Sequence, residues 1–348
     1  MRAALEMRLS LVAALMLAFA CGSPAQSATP NDTGPLTLRL GYFPNLTHAP
    51  ALIGLGKGFF ATSLGGDVTL EAHSFNAGGD AVTALLSNSI DASFVGPNPT
   101  INAFAQSHGQ AVRVVAGSTT GGALLVVRSG ITSAAQLKGK KIADPQLGGT
   151  QDIALRWFLR NQGFHTDTAG GGDVAVLPQD NSQTLVAFRQ GQIDGAWVPE
   201  PWASRLVVEG GGHVLVDERD LWPRGEFVST NLVVRTDFLR AHPRRIKSLL
   251  EGLFQSIAFL NANGAASQQV ANDAVGQITG KKLGAGVVTA SWPHLSFTLD
   301  PLASTLKVSA QHAQAVGLLP GVDLHGLYDL GLLNQVLASH QQATVAGL

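Results

Sequence analysis

Five short stretches of the chain carry the amides, hydroxyls and aromatic rings that a site for a small polar solute needs. They are Tyr42-Phe43-Pro44-Asn45 with His48 close behind, Val95-Gly96-Pro97-Asn98, Gly117-Ser118-Thr119-Thr120, Gly148-Gly149-Thr150-Gln151-Asp152, and Trp197-Val198-Pro199-Glu200-Pro201-Trp202. Tyr42, Asn45, His48, Asn98, Thr119, Thr120, Thr150 and Gln151 offer neutral donors and acceptors, and Trp197 offers a face for stacking. Asp152 and Glu200 are the only acids in the set, and it contains no Lys or Arg. An anion held there depends on N–H groups and hydroxyls alone, and the two acids repel it unless the solute also carries an amine. Asp152 has a structural reading too, because acids in a first helical turn are favoured by the helix dipole. His48 reads equally as a helix-start residue facing solvent, Trp197 as a core ring, and Trp202 as core.

Other chemistries find less support. G-x-S-x-G, H-E-x-x-H and the P-loop pattern are absent. The ten histidines are scattered singly, without the paired spacing of a zinc site, and nothing calls for a metal or cofactor. Gly170-Gly171-Gly172 and Gly210-Gly211-Gly212 each precede a strand pattern, the wrong order for a phosphate loop, and read as turns. With 23 basic and 24 acidic residues the net charge is −1, and no Lys/Arg run offers a phosphate track, which argues against nucleic-acid binding.

The N-terminus speaks to location. Arg2 and Arg8 flank the start of an apolar run from Leu9 to Ala20, too short to span a bilayer and of the length of a signal-peptide core. The run ends Ala18-Phe19-Ala20-Cys21, and Cys21 is the chain's single cysteine, so it has no internal disulfide partner. The segment resembles bacterial lipoprotein signals, which implies cleavage before Cys21 and its lipidation. Phe19 and Ala18 depart from the usual small and Leu residues of that pattern. Residues 1–20 are thus expected as a signal peptide and 21–35 as a lipidated Cys with a flexible tether. The mature chain is expected on the outer face of the cell membrane, or in the periplasm if Cys21 is not lipidated.

Strands and helices alternate through the body of the chain. Strands are expected at Leu36–Leu40, Val68–Ala72, Ala92–Val95, Val112–Ala116, Ala123–Val127, Lys141–Ala143, Val174–Leu177, Gly195–Val198 and Asn231–Val234. Helices are expected over Gly78–Leu86, over Pro99–Ser107 with Asn98 as N-cap, from Gln151 to about Asn161 with Thr150 as cap, over Thr184–Arg189, and from Pro243 to about Asn263. This grammar implies mostly parallel sheets with helices on their faces, and 348 residues suffice for two cores. An internal echo supports two similar lobes. Helix, Asn88, Ile90-Asp91, strand and a proline loop at Gly96-Pro97 repeat as helix, Gly191, Ile193-Asp194, strand and Pro199-Glu200-Pro201. The five polar stretches fall at strand carboxyl ends, where open α/β sheets bind ligands.

Leu40-Gly41-Tyr42-Phe43-Pro44, Ala49-Pro50, Gly58-Phe59-Phe60, Lys138 to Ala143, Gly149 to Leu155, Gly191 to Asp194 and Trp197 to Trp202 occur in an order that resembles the substrate-binding proteins of ABC importers. The nearest branch is the sulfonate, taurine and nitrate group. The resemblance implies an α/β, type II periplasmic-binding-protein fold. Lobe 1 would be formed by 36–119 plus 229–348 and lobe 2 by 120–228, joined by two strand crossovers. It further implies capture of a small polar or anionic solute, a sulfonate or taurine-like one foremost, and delivery to a permease and its ATPase by a monomeric, non-enzymatic protein. Taurine would reconcile helix-end N–H donors with Glu200 or Asp152. An enzyme on the same fold, acting on a pyrimidine- or menaquinone-precursor-like molecule, is the alternative. The export signal and the single cysteine count against it.

Overall fold

Among the described residues the chain forms eleven strands: β1 (Leu36–Tyr42), β2 (Val68–Ser74), β3 (Ala92–Val95), β4 (Val112–Gly121), β5 (Ala123–Val127), β6 (Lys141–Asp144), β7 (Ala175–Pro178), β8 (Gly195–Pro199), β9 (His213–Asp217), β10 (Val228–Arg235) and β11 (Leu295–Phe297). The structure, a computed structural model, describes residues 32–348. The expected leader, Cys21 and most of the expected tether lie outside the described residues.

Two sheets result, ordered β11-β4-β10-β3-β1-β2 and β7-β6-β8-β5-β9. In the first, β2, β1 and β3 run parallel, and β10 turns back antiparallel between β3 and β4. In the second, β7, β6 and β8 run parallel, and β5 lies antiparallel between β8 and β9. The chain leaves the first sheet between β4 and β5 and returns between β9 and β10. Gly121 and Gly122 make the first passage with φ of 75° each, a left-handed conformation suited to glycine. A Cβ on Gly121 would stand 2.5 Å from the His294 carbonyl, and one on Gly122 2.3 Å from Leu295.

The central strands of each sheet are buried on both faces. One face of the first packs Leu38 and Leu40 against helices including Ala49–Gly56 and Pro243–Ala262, and the other packs Val95, Val112, Val114 and Val233 against helices including Gly78–Leu86, Pro97–Gln106 and Ala303–Ala315. The second sheet divides its core in the same way, with Leu124 and Val126 of β5 facing one cluster and Leu125 and Val127 the other. That is the period-two alternation of a strand covered on both sides. Helix Pro243–Ala262 buries Ile246, Leu249, Leu250, Leu253, Ile257 and Leu260, the three-and-four spacing of an amphipathic face.

Local differences from the sequence reading have physical causes. The helix expected from Pro99 starts at Pro97, with Gly96 and not Asn98 as N-cap, because proline suits the first helical position and Pro97 already occupies it. The next helical stretch of the second sheet starts at Asn181, three residues before Thr184. Asp32, placed by sequence in the tether, is buried: its Oδ2 accepts from the N–H groups of Arg244 and Arg245 at 2.8 and 3.2 Å, and its Oδ1 lies 3.1 Å from His242 Nδ1. It caps the long helix from outside the element, satisfying first-turn donors that no local side chain reaches.

Candidate functional site

The carboxyl ends of all six parallel strands open on one cavity. The first sheet contributes Phe43, Asn45, Thr47 and His48 after β1, Asn76, Ala77 and Gly78 after β2, Gly96 and Pro99 after β3, and Ser229 from β10. The second sheet contributes Pro145, Gln146, Gly149, Thr150 and Gln151 after β6, Asn181 after β7, and Pro199 at the end of β8. The free volume is about 50 Å³. Pockets for drug-sized ligands hold roughly 300–1,000 Å³, so this one accepts only a few heavy atoms.

Its electrostatics come from the backbone. Four helices begin at the cavity wall: Gly78–Leu86, Pro97–Gln106, Thr150–Asn161 and Asn181–Arg189, two beside each sheet. None has a side-chain bond from its N-cap residue, which is Ala77, Gly96, Gly149 or Asp180. The positive ends of four helix dipoles therefore face a common space. Pro97 and Pro99 carry no N–H and the Gly79 N–H is taken by Gln146, so the first-turn donors come mainly from the helices that start at Thr150 and Asn181. Among the described residues no Lys or Arg lines it.

His48 supports the same polarity without a net charge. Burial pushes its pKa down to about 3, so the ring is neutral at physiological pH. Its Nδ1 accepts from the Phe43 N–H at 3.3 Å, which puts the remaining proton on Nε2, and the ring stacks on Phe43 at 4.3 Å. Among the described residues no hydroxyl or thiol hydrogen-bonds to this imidazole.

Contacts around the cavity join the two sheets' surroundings. Gly79 N–H donates to Gln146 Oε1 at 2.7 Å, Trp202 Nε1 to Asn45 Oδ1 at 2.9 Å, and the N–H groups of Leu46 and Thr47 to the Glu200 carbonyl at 3.1 and 3.4 Å. Gly96 lies against Thr150, where a Cβ would stand 2.5 Å from Oγ1.

Of the residues singled out from sequence, Asn45, His48, Thr150 and Gln151 line this cavity, and seven do not. Tyr42 ends β1 and points into the first-sheet core, so its neighbour Phe43 faces the cavity instead, as alternation along a strand requires. Asn98 exchanges bonds with Ser309, its Oδ1 accepting at 2.8 Å and its Nδ2 donating to the carbonyl at 3.3 Å. Thr119 is buried within β4, and Thr120 Oγ1 accepts from the Phe227 N–H at 3.2 Å. Asp152 is buried and bonded to Arg156 Nε at 2.6 Å and to the Gly148 N–H at 2.8 Å. Trp197 is fully buried and donates from Nε1 to Glu218 at 2.8 Å.

Glu200 is likewise structural. It is fully buried, and its carboxylate accepts from Ser204 N–H at 3.0 Å, Ser204 Oγ at 2.9 Å and Ser291 Oγ at 2.9 Å. Burial raises its pKa against the lowering effect of those bonds. Neither acid that was expected to meet a ligand amine is free to do so. Asn76, Gln146 and Asn181 were missed, although the rule of strand carboxyl ends, applied to β2, β6 and β7, points at each.

Residues 31–274 match the model of the NMT1-like family. The chain is 29% identical over 261 residues to the bicarbonate-binding protein CmpA of a Synechococcus species, covering 66% of this chain and 55% of that one. It is 29% identical over 199 residues to the taurine-binding periplasmic protein of Escherichia coli, covering 57% and 59%. The chain thus spans little more than half the length of these curated relatives. Among solved structures it is similar to the alkanesulfonate-binding protein SsuA of Xanthomonas axonopodis pv. citri bound to MOPS, with a TM-score of 0.67, 22% identity, and coverage of 83% of this chain and 96% of that one. This likeness shows the periplasmic-binding-protein fold.

Proposed function

Starting from the fact that the chain belongs to the NMT1-like family, we propose that it is the extracytoplasmic solute-binding component of an ABC importer and that its cavity captures a small oxyanion. The observation that carries this reading is the meeting of four helix N-termini, two beside each sheet and none capped by its own N-cap side chain, at one small cavity without a cationic side chain among the described residues. Such a wall offers N–H donors to a compact anion and offers little to a cation or an apolar body. The relatives named above bind bicarbonate and taurine, both of which bear an anionic oxygen group.

The solute is an oxyanion without an amine. A taurine-like solute is favoured less, because both acids that could meet its ammonium are engaged elsewhere, Asp152 with Arg156 and Glu200 with Ser204 and Ser291. The small volume favours an inorganic or one-carbon oxyanion, or a short alkanesulfonate, over larger solutes. Residues 36–119 with 229–348 and residues 120–228 act as two lobes that close on the solute, a hinge motion. The closed form then docks on a permease driven by an ATPase, as a monomer held to the outer face of the membrane through Cys21.

The test is a thermal-shift screen of the purified protein with nitrate, bicarbonate, methanesulfonate, taurine and neutral pyrimidines. An anion at a hundred times its dissociation constant stabilises by about 2.7 kcal/mol. Stabilisation by one or more amine-free oxyanions supports the reading. Stabilisation by pyrimidines alone, or conversion of any bound compound, contradicts it.

A further inference from the structure

A second cavity, of about 680 Å³, shares no residue with the first. It lies between helix Thr150–Asn161, the connection that leads from β9 to β10, and helix Ala303–Ala315. Its volume falls in the range of pockets that take drug-sized ligands, roughly 300–1,000 Å³. Aromatic rings form its walls. Trp157 and His312 stack at 4.3 Å with their planes 14° apart, and Trp222 is tilted against His312 at 5.5 Å.

One wall group stands out against this apolar setting. Glu218 lines the cavity yet is only 2% exposed. Its Oε2 accepts from Trp197 Nε1 at 2.8 Å, whereas its Oε1 meets Trp222 Nε1 only at 3.4 Å, beyond the ordinary range for N–H···O bonds. Among the described residues no Lys or Arg forms an ion pair with it. Arg224, the cation among the lining residues, is turned to solvent and paired with Glu226 at 3.2 Å. His312 supplies no charge either, since burial holds its pKa at about 4. A buried carboxyl without a counter-ion is costly, and burial accordingly pushes the Glu218 pKa up to about 7.

We propose that this cavity is a binding site for an organic cation with an apolar or aromatic body, its ammonium against the Glu218 carboxyl and its body against the Trp157, Trp222 and His312 rings. The ligand supplies the missing counter-ion, and aromatic faces attract cations as well as apolar surface. The chemistry is opposite in sign to that of the oxyanion cavity, so the two sites do not compete for one solute.

The test compares phenethylamine with 2-phenylethanol, a neutral probe of matching body, by titration calorimetry on the full protein. Wild type should bind the amine saturably and about tenfold or more tighter than the alcohol. Glu218→Gln keeps an acceptor for Trp197 and should bring the two probes to within about twofold of each other. Trp157→Ala, a change in a half-buried ring, should weaken both probes. The stabilisation by an oxyanion should persist in both variants. Equal affinity of wild type for the two probes, no saturable binding of the amine, a preference that survives Glu218→Gln, or full binding by Trp157→Ala would each overturn the proposal.

Discussion

The Gly79 N–H and Gln146 Oε1 lie 2.7 Å apart, linking the first turn of helix Gly78–Leu86 beside the first sheet to the loop after β6 in the second. Gln146 lines the cavity between the strand carboxyl ends and Gly79 adjoins it, so a bond that holds the two sheets' surroundings together also borders that cavity. Gln146 satisfies one first-turn donor of that helix with a neutral acceptor, leaving the remaining polarity of the wall for the ligand.

Gln146→Ala removes this bond without touching either core. Its net worth is about 0.5–1.5 kcal/mol, so oxyanion affinity should fall by roughly two- to tenfold. The loss should appear mainly as faster dissociation in stopped-flow measurements, with the melting temperature of the free protein little changed.

Gly96→Ala should act on the opposite wall. The new Cβ would stand 2.5 Å from Thr150 Oγ1, so either the hydroxyl rotates away or the two segments separate. Each outcome displaces a cavity donor, and calorimetry should show oxyanion affinity lower by about tenfold. An unchanged affinity would mean that Thr150 contributes nothing to the site.

Glu200→Gln tests the assignment of that carboxylate to the scaffold. Glutamine retains one acceptor oxygen against three donors, from Ser204 and Ser291, so the fold should lose about 1–3 kcal/mol. Relative affinity for taurine and methanesulfonate should stay the same, because the carboxylate does not face the cavity. A selective loss for taurine would return Glu200 to the ligand.

Two buried groups give the stability opposite pH slopes. The folded pKa of Glu218 is raised from 4.5 to about 7, so its contribution is full below pH 4.5 and is lost as pH rises through 7. The loss is roughly 3 kcal/mol. His48 is lowered from 6.5 to about 3, so its contribution is full above pH 6.5 and is lost as pH falls towards 3. Denaturant unfolding from pH 4.5 to 8 should show Glu218→Gln gaining on wild type as pH rises. A constant difference across that range would mean that Glu218 ionises normally in the fold.

Much of the architecture was legible because local signals and tertiary roles coincide. Asn88 and Gly191 adopt φ of 61° and 78°, the left-handed helix ends that the internal echo implied. Asp91 and Asp194, the acids that follow, do matching work: one accepts from the Arg39 N–H at 2.9 Å and the other from the Lys141 N–H at 2.8 Å, each on the neighbouring parallel strand. The site was less legible. Trp197 looked available because its partner Glu218 lies in an element with no clear pattern, and Glu200 because Ser291 lies far along the chain, although its other partner, Ser204, stands one turn on. Asp152 was different, since Arg156 stands one turn on and the pair could have been read from spacing alone. The short strand β11 and the cap by Asp32 depend on contacts across the whole chain, which no local pattern encodes.

The most direct measurement is an amide NMR titration of isotope-labelled protein with nitrate, bicarbonate or methanesulfonate. The account predicts that the N–H signals of Gly78, Thr150 and Asn181, at helix starts beside both sheets, shift together and saturate with one dissociation constant. Shifts confined to one sheet's residues, or scattered over the surface without saturation, would contradict it.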